Sequence, residues 1–265
     1  NISNIGINGA NVTGLKYAGA LVGCLYGTME RCWSSGSVTA ASSGTQTAEA
    51  AGGLVGEATG GSTISNCYST ATVTAPLAGG VVGCLNGTFS YCYATGKVTS
   101  NGNPSSGSGA AGGICGKLNT STDVTIKNNF ALNKEGIVAQ ESGSVGRIIG
   151  NVSAGGTITY TDNYASALIA GDWSETDING KLCTFDKLNL LSQDNTAFKC
   201  DATYLPKLVD GSSSFMTGQT DLKLLDYIGG GSITITSSGN FNFSATKESA
   251  IFGDTVKFTV TPESE

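Results

Sequence analysis

With no histidine anywhere in the chain, proton transfer and metal ligation fall to carboxylates, thiols and tyrosines. Ser–His–Asp and Cys–His arrangements cannot be assembled, and the commonest metal ligand is missing. Twenty Asp and Glu residues remain, and a pair held roughly 5–9.5 Å apart could cleave a glycosidic bond. Glu30 and Glu57 fall in different parts of the sequence pattern. Only Glu135, Glu141, Asp162, Asp172, Glu175 and Asp177 gather near the solenoid-like part of the chain. That concentration could hold Ca2+ or a sugar. It also reads as scattered solvated carboxylates, because no EF-hand loop or D-x-D spacing accompanies it. The sequence therefore names no catalytic, cofactor-binding or metal-binding residue, and the expectation is a chain that is not an enzyme.

Eight cysteines carry the remaining reactive chemistry. Cys32, Cys67 and Cys92 each open a Cys–aromatic–small triplet, and Asn129 and Asn163 take the same place in NFA and NYA. A position shared by Cys and Asn reads as a stacked column of small buried side chains, not as a set of disulfides. Cys183 and Cys200 lie outside this pattern and are the best candidates for a disulfide. No C-x-x-C spacing suggests a zinc site. The aromatics after the column (Trp33, Tyr68, Tyr93, Phe130 and Tyr164) form a column of their own. Neighbours in a strand point oppositely, so an inward Cys/Asn column sends the rings outward or to a corner. There they either offer a stacking strip to sugars or a partner, or lie covered.

These residues are positioned by a repeat. A glycine box precedes every triplet: AGALVG from Ala18, AGGLVG from Ala51, AGGVVG from Ala78, AGGICG from Ala111 and VGRIIG from Val145. The box lacks the lysine and helix of a phosphate loop; its glycines mark corners and close backbone approach. Steps between the second glycines (Gly19, Gly52, Gly79, Gly112, Gly146) are 33, 27, 33 and 34 residues. A period of this size means a solenoid, propeller or array. Each unit offers three short strand-like pieces, in the second copy Gly53–Gly56, Thr63–Tyr68 and Ala71–Ala75. Three strands and three turns make one coil of a parallel β-helix, in which neighbouring coils complete one another's core. The long steps insert Ala41–Ala50, Asn101–Gly109 and Asn133–Ser142 at one place in the repeat, which puts them on one edge. Such an edge is either a binding edge or drifted surface loop.

The expected organisation is a single-stranded parallel β-helix over residues 1–170, with Asn1–Lys16 as a degenerate opening coil. A capping segment follows over 171–228, with Trp173 as its plug. Strictly alternating SITIT, FNFSAT and TVKFTVT predict a short antiparallel segment over 229–265, turning at Ser237–Asn240 and Lys247–Asp254. The net charge of −6 lies wholly after residue 122, and two arginines with no basic stripe exclude a nucleic-acid footprint. No apolar run is long enough to span a membrane. The chain opens without Met or a signal-peptide pattern, as a mature or trimmed polypeptide would.

The paired boxes GG-[LVI]-[VC]-G and [CN]-[YWF]-[SA] resemble the GLUG repeat of bacterial surface and secreted proteins, over roughly residues 18–167. Arg147–Ala165 carries the strongest likeness, and ATYLPKL at Ala202–Leu208 is similar to the segment that closes such repeats. GDTVKFTVTPE from Gly253 resembles bacterial immunoglobulin-like or Listeria–Bacteroides surface repeats, without their remaining strands. The resemblance implies a right-handed coil and no catalytic residues. It implies a secreted or outer-membrane-anchored protein, part of a longer multidomain chain. The function expected is an adhesin-like stalk presenting loops to a host glycan or protein. The alternatives are a polysaccharide lyase or hydrolase, and an accessory stalk of a secreted protease such as an immunoglobulin A protease.

Overall fold

The computed structural model describes residues 1–41, 49–102, 109–140, 143–193, 196–200, 203–210, 214–232, 241–245, 249–251 and 258–262, with side chains as far as Gly229. Three parallel sheets run along the first 182 residues, with eight, five and ten strands. Each unit from Tyr17 onward contributes to all three and the opening residues 1–16 to two, and successive units pair in register, giving an all-β, β-helix-like stack.

Register follows the repeat residue for residue. Gly19, Gly52, Gly79, Gly112 and Gly146 are Cα partners in the five-stranded sheet. Trp33, Tyr68, Tyr93, Phe130 and Tyr164 are partners in the ten-stranded sheet. The opening residues form a real coil: Ile2–Ser3 pairs with Met29–Glu30, and Gly6–Gly14 with Trp33–Ala40.

Inside the coils lie continuous aliphatic columns. Val22, Val55, Val82, Cys115 and Ile149 form one, and Val12, Val38, Val73, Val98 and Ile137 another. Met29, Ile64, Phe89 and Ile126 form a third, each fully buried. Burial of a side chain of this size is worth about 1.5–3 kcal/mol. No coil could bury its own column alone, so the stacking supplies the core.

The glycine box is required by this stacking. A Cβ built on Gly112 would stand 1.8 Å from the carbonyl oxygen of Cys115, and on Gly79 2.0 Å from that of Val82. In the second unit the strand limits differ from the expected pieces. Gly53–Gly56 and Thr63–Tyr68 merge into one strand, Val55–Ser65, because Gly60 and Gly61 absorb extra residues at φ of 64° and 73°. Only glycine enters that region without strain, and the neighbouring strands shift register there.

After the last full coil, Lys181–Leu182 pairs in parallel with Tyr164–Ala165, and the carbonyl of Ile178 accepts from Ile148 and Ile149. The chain then runs through two single-turn helices and a short antiparallel pair, Phe198–Lys199 with Lys207–Leu208. Beyond Gly229, Gly230–Ser232 pairs antiparallel with Ser249–Ile251, and Phe241–Ala245 with Phe258–Pro262. The expected turn at Ser237–Asn240, and most of that at Lys247–Asp254, fall outside the described residues. No helix among the described residues is long and apolar enough to cross a membrane.

Candidate functional site

The Cys/Asn column is a hydrogen-bond device at a corner. The residue before each member has positive φ: Arg31 50°, Asn66 53°, Tyr91 53°, Asn128 53° and Asp162 49°; Asn4, at 57°, makes the same turn before Ile5 in the opening coil. This left-handed turn takes the following N–H out of the sheet ladder, and the next coil's side chain accepts it. Cys32 N–H donates to Cys67 Sγ at 3.4 Å, Cys92 N–H to Asn129 Oδ1 at 3.0 Å, and Asn129 N–H to Asn163 Oδ1 at 3.2 Å. Each member also donates inward: Cys92 Sγ to Ser90 O, Asn129 Nδ2 to Phe89 O, and Asn163 Nδ2 to Ile126 O. Thiol and amide are interchangeable here because each both accepts and donates. Burial, followed by its cysteine neighbours, pushes the Cys67 thiol well up. The column is structural.

The outer columns hold the reactive groups that remain. Cys24, Glu57, Cys84 and Lys117 follow one another across four coils, and Cys24 Sγ lies 3.8 Å from Glu57 Oε2. Burial, then the Glu57 carboxylate, raises Cys84 to about 11. Cys183 and Cys200 do not form the expected disulfide. Cys183 Sγ points to Thr184 O and Cys200 Sγ to Leu188 O, in different parts of the flanking segment.

The aromatic column points out of the coils, as alternation requires, yet it is no open strip. Trp33, Tyr68, Tyr93, Phe130 and Tyr164 are each at most 3% exposed. They stack along the flank, with Tyr68 and Tyr93 4.6 Å apart and parallel within 1°. Leu188, Leu191, Phe198, Leu205, Leu208 and Leu224 of the following segment pack over them. Tyr93 Oη donates to Pro206 O at 2.6 Å, and Tyr68 Oη to Gln219 Oε1 at 2.9 Å. The segment expected as an end cap therefore lies along the side of the stack for much of its length. Its first residues do meet the last coil, where half-buried Trp173 packs on the core and donates to Ile169 O and Ala170 O.

Of the six gathered carboxylates, the structure brings together three. Asp162, Glu175 and Asp177 line a cleft at the last coil with Tyr160, Thr176 and Lys181. Asp162 accepts from Lys181 Nζ at 3.1 Å, and that bond holds its carboxyl below the usual range. Glu175 Oε1 accepts the Leu182 N–H at 2.9 Å. Burial, then Asp177, raises the Tyr160 phenol. Exposed Glu135 lies elsewhere, beside Tyr227, and Asp172 is exposed outside the cleft. Glu141 falls outside the described residues. The cleft offers about 130 Å3, well under the roughly 300 Å3 of ordinary ligand pockets. Among the described residues, no three His, Cys, Asp or Glu side chains are arranged to hold a metal.

Arg147 was missed by sequence reasoning. It is buried, donates Nε to Asn179 O at 3.0 Å and Nη2 to Gly180 O at 2.9 Å, and packs against the Trp173 ring. It stands where earlier boxes have Gly53, Gly80 and Gly113. At Gly80 and Gly113 the next coil's carbonyl lies within 2.2 Å of a would-be Cβ. The last coil has no such neighbour, so the site admits a long side chain. Arg for Gly in VGRIIG was the legible signal.

Recurring glycine boxes, parallel coils and a corner column together define a parallel β-solenoid of stacked repeats. Residues 47–74 and 75–99 match the GLUG motif itself, and the structure sets the remaining copies in register with them. A crystal structure from Bacteroides ovatus, provisionally described as an immunoglobulin A1 protease, is similar with a TM-score of 0.58 and 27% identity. The likeness covers 74% of this chain and 65% of that one, so the chain spans less than two thirds of that protein. No curated protein matches.

Proposed function

We propose that this chain is a non-enzymatic, right-handed β-helical stalk of a secreted or outer-membrane-anchored bacterial protein, which presents loops to a host glycan or protein. The observation that carries this reading is the edge between the ten- and five-stranded sheets. Strands ending at Ala40, Ser100 and Ala139 re-enter at Ala50, Ala110 and Ser144, and the flanking positions are in register across coils. Only Pro76 separates Ala75 from Leu77 in the coil between. One residue is enough to close that coil, and the sequence spends more at 42–48 and 103–108, which lie outside the described residues. Residues 171–228 serve as the closing segment, and 229–265 as the start of an immunoglobulin-like module of a longer chain.

Replacing 42–48 and 103–108 with links as short as Pro76 is the test. The shortened chain keeps its melting transition and loses binding to immobilised mucin or host glycans. Retained binding that free methyl glycosides do not compete away, or no binding by the parent chain, defeats the reading. A second reading, an accessory stalk of a secreted protease, is supported by the Bacteroides ovatus likeness; its test is whether the stalk, added to a protease domain of the same protein, alters cleavage of immunoglobulin A. The polysaccharide-active reading has the acidic cleft as its support, and release of products from pectin, alginate or glycosaminoglycan would establish it.

A further inference from the structure

The aromatic column ends in a hollow. By register the first coil should place a ring beneath Trp33, but Gly6 occupies that position. Trp33 leans into the vacancy: a Cβ on Gly6 would lie 2.0 Å from its Nε1 and 2.1 Å from its Cε2. Accordingly its ring stands 6.0 Å from Tyr68, against 4.6 Å for the next pair. On this side a hollow of about 290 Å3 opens, walled by Gly6, Trp33, Asn4, Asp210, Phe215 and Thr217.

Three properties of these walls specify a ligand. The Trp33 Nε1–H is buried with no hydrogen-bond partner among the described residues, and a buried donor left unmet is costly. Phe215 is 47% exposed at the wall of the hollow, and Lys207 Nζ and Lys199 Nζ lie 4.4 and 5.6 Å from its ring centroid, so a ligand stacking there shares the ring with these two ammonium groups. Asn4 supplies an amide whose Oδ1 takes Arg31 Nε–H at 2.8 Å, so its NH2 is the group left to donate. Asp210 supplies a carboxylate, fixed by accepting the Ser214 N–H at 2.9 Å. Alternating apolar and hydroxyl faces against an aromatic wall with both donors and acceptors are what a pyranose ring presents. Among the described residues one carboxylate and no cation line the hollow itself, and of the two lysines over Phe215 Lys207 is paired with Asp221, so the surrounding charges offset one another and suit a neutral ligand.

We infer that this hollow is a carbohydrate subsite for one neutral pyranose residue, with Phe215 as the stacking platform and Asn4, Asp210 and Trp33 as hydroxyl partners. It sits at the opposite end of the Trp33–Ala40 strand from the 42–48 insertion, so it stands or falls independently of the loop-edge reading.

Titration of the whole chain with the methyl glycosides of galactose, glucose, N-acetylglucosamine and N-acetylgalactosamine tests it, followed by calorimetry and by indole emission. At least one glycoside binds saturably and shifts the emission. Trp173→Phe retains the shift, since only two tryptophans are present. Phe215→Ala weakens binding by about tenfold without moving the melting temperature, and Asn4→Gly, which keeps the left-handed backbone at φ 57°, weakens it too; both side chains are exposed. If no glycoside binds more tightly than ~10 mM, the subsite does not exist. Binding untouched by both variants, or preference for N-acetyl-tyrosinamide over every glycoside, overturns it equally. Chains with shortened loops bind the glycoside as the parent does.

Discussion

At the level of single residues, the structure depends on what is missing as much as on what is present. Each glycine in the Gly19–Gly146 column is held by the carbonyl three residues on, which leaves no room for a methyl group. Gly112→Ala should cost about 3 kcal/mol or more, since the obstruction is backbone and cannot rotate away. Gly155→Ala, with its nearest atom 3.8 Å away, should cost under about 1 kcal/mol; urea unfolding of the two variants makes the comparison. Ionisation adds a second residue-scale effect. Cys84 titrates at 9.0 when unfolded and about 11 when folded, so folding favours its neutral thiol. That contribution is full below pH 9 and disappears as pH rises through 11, on the order of 3 kcal/mol. Stability measured across this window should fall less steeply in Cys84→Ala. An equal slope would mean that Cys84 is not the group concerned.

Among elements, the corner between the long strand and the aromatic strand is where neighbouring coils are tied. Asn129 serves three partners there: Cys92 N–H, Phe89 O and Asn163 Oδ1. Asn129→Ala strands a buried N–H and a buried carbonyl and should cost about 2–3 kcal/mol. Asn129→Cys should recover much of the loss, because Cys67 already accepts a corner N–H; thermal melts in parallel decide it. This corner also shows what the sequence makes legible. Five copies of a triplet put Cys32 above Cys67 above Cys92 before any coordinates are known, because identical neighbours in a stack must share a register. The left-handed residue before each triplet is Arg, Asn, Tyr, Asn or Asp. Arg31 and Tyr91 carry no turn signal, so the corner itself was hidden. The Asp162, Glu175 and Asp177 grouping was visible as acidic density. The pairing of Asp162 with Lys181 was not, because nothing in the spacing fixes the direction of a side chain 19 residues away.

For the whole molecule, the decisive arrangement is the flank segment against the ring column. Leu188, Leu191, Phe198, Leu205, Leu208 and Leu224 follow no period, so no pattern told that they would lie sideways along the coils and not across their end. A chain ending at Leu182 keeps its three sheets but uncovers five aromatic rings. A contiguous apolar strip of that kind drives association. Such a chain should bind hydrophobic dye and sediment as larger species than the full chain does; a dye-silent truncation that sediments no differently would show the segment to be dispensable. Tyr93→Phe, which removes only the bond to Pro206, should cost about 1 kcal/mol in the full chain. Timing follows from the same layout. The partners of Tyr93 and Tyr68 are separated from them by 113 and 151 residues, so during synthesis the rungs exist for many seconds before their cladding is translated. Whatever accompanies the nascent polypeptide must shield that stripe in the interval, and slow codons or a chaperone would be felt there first.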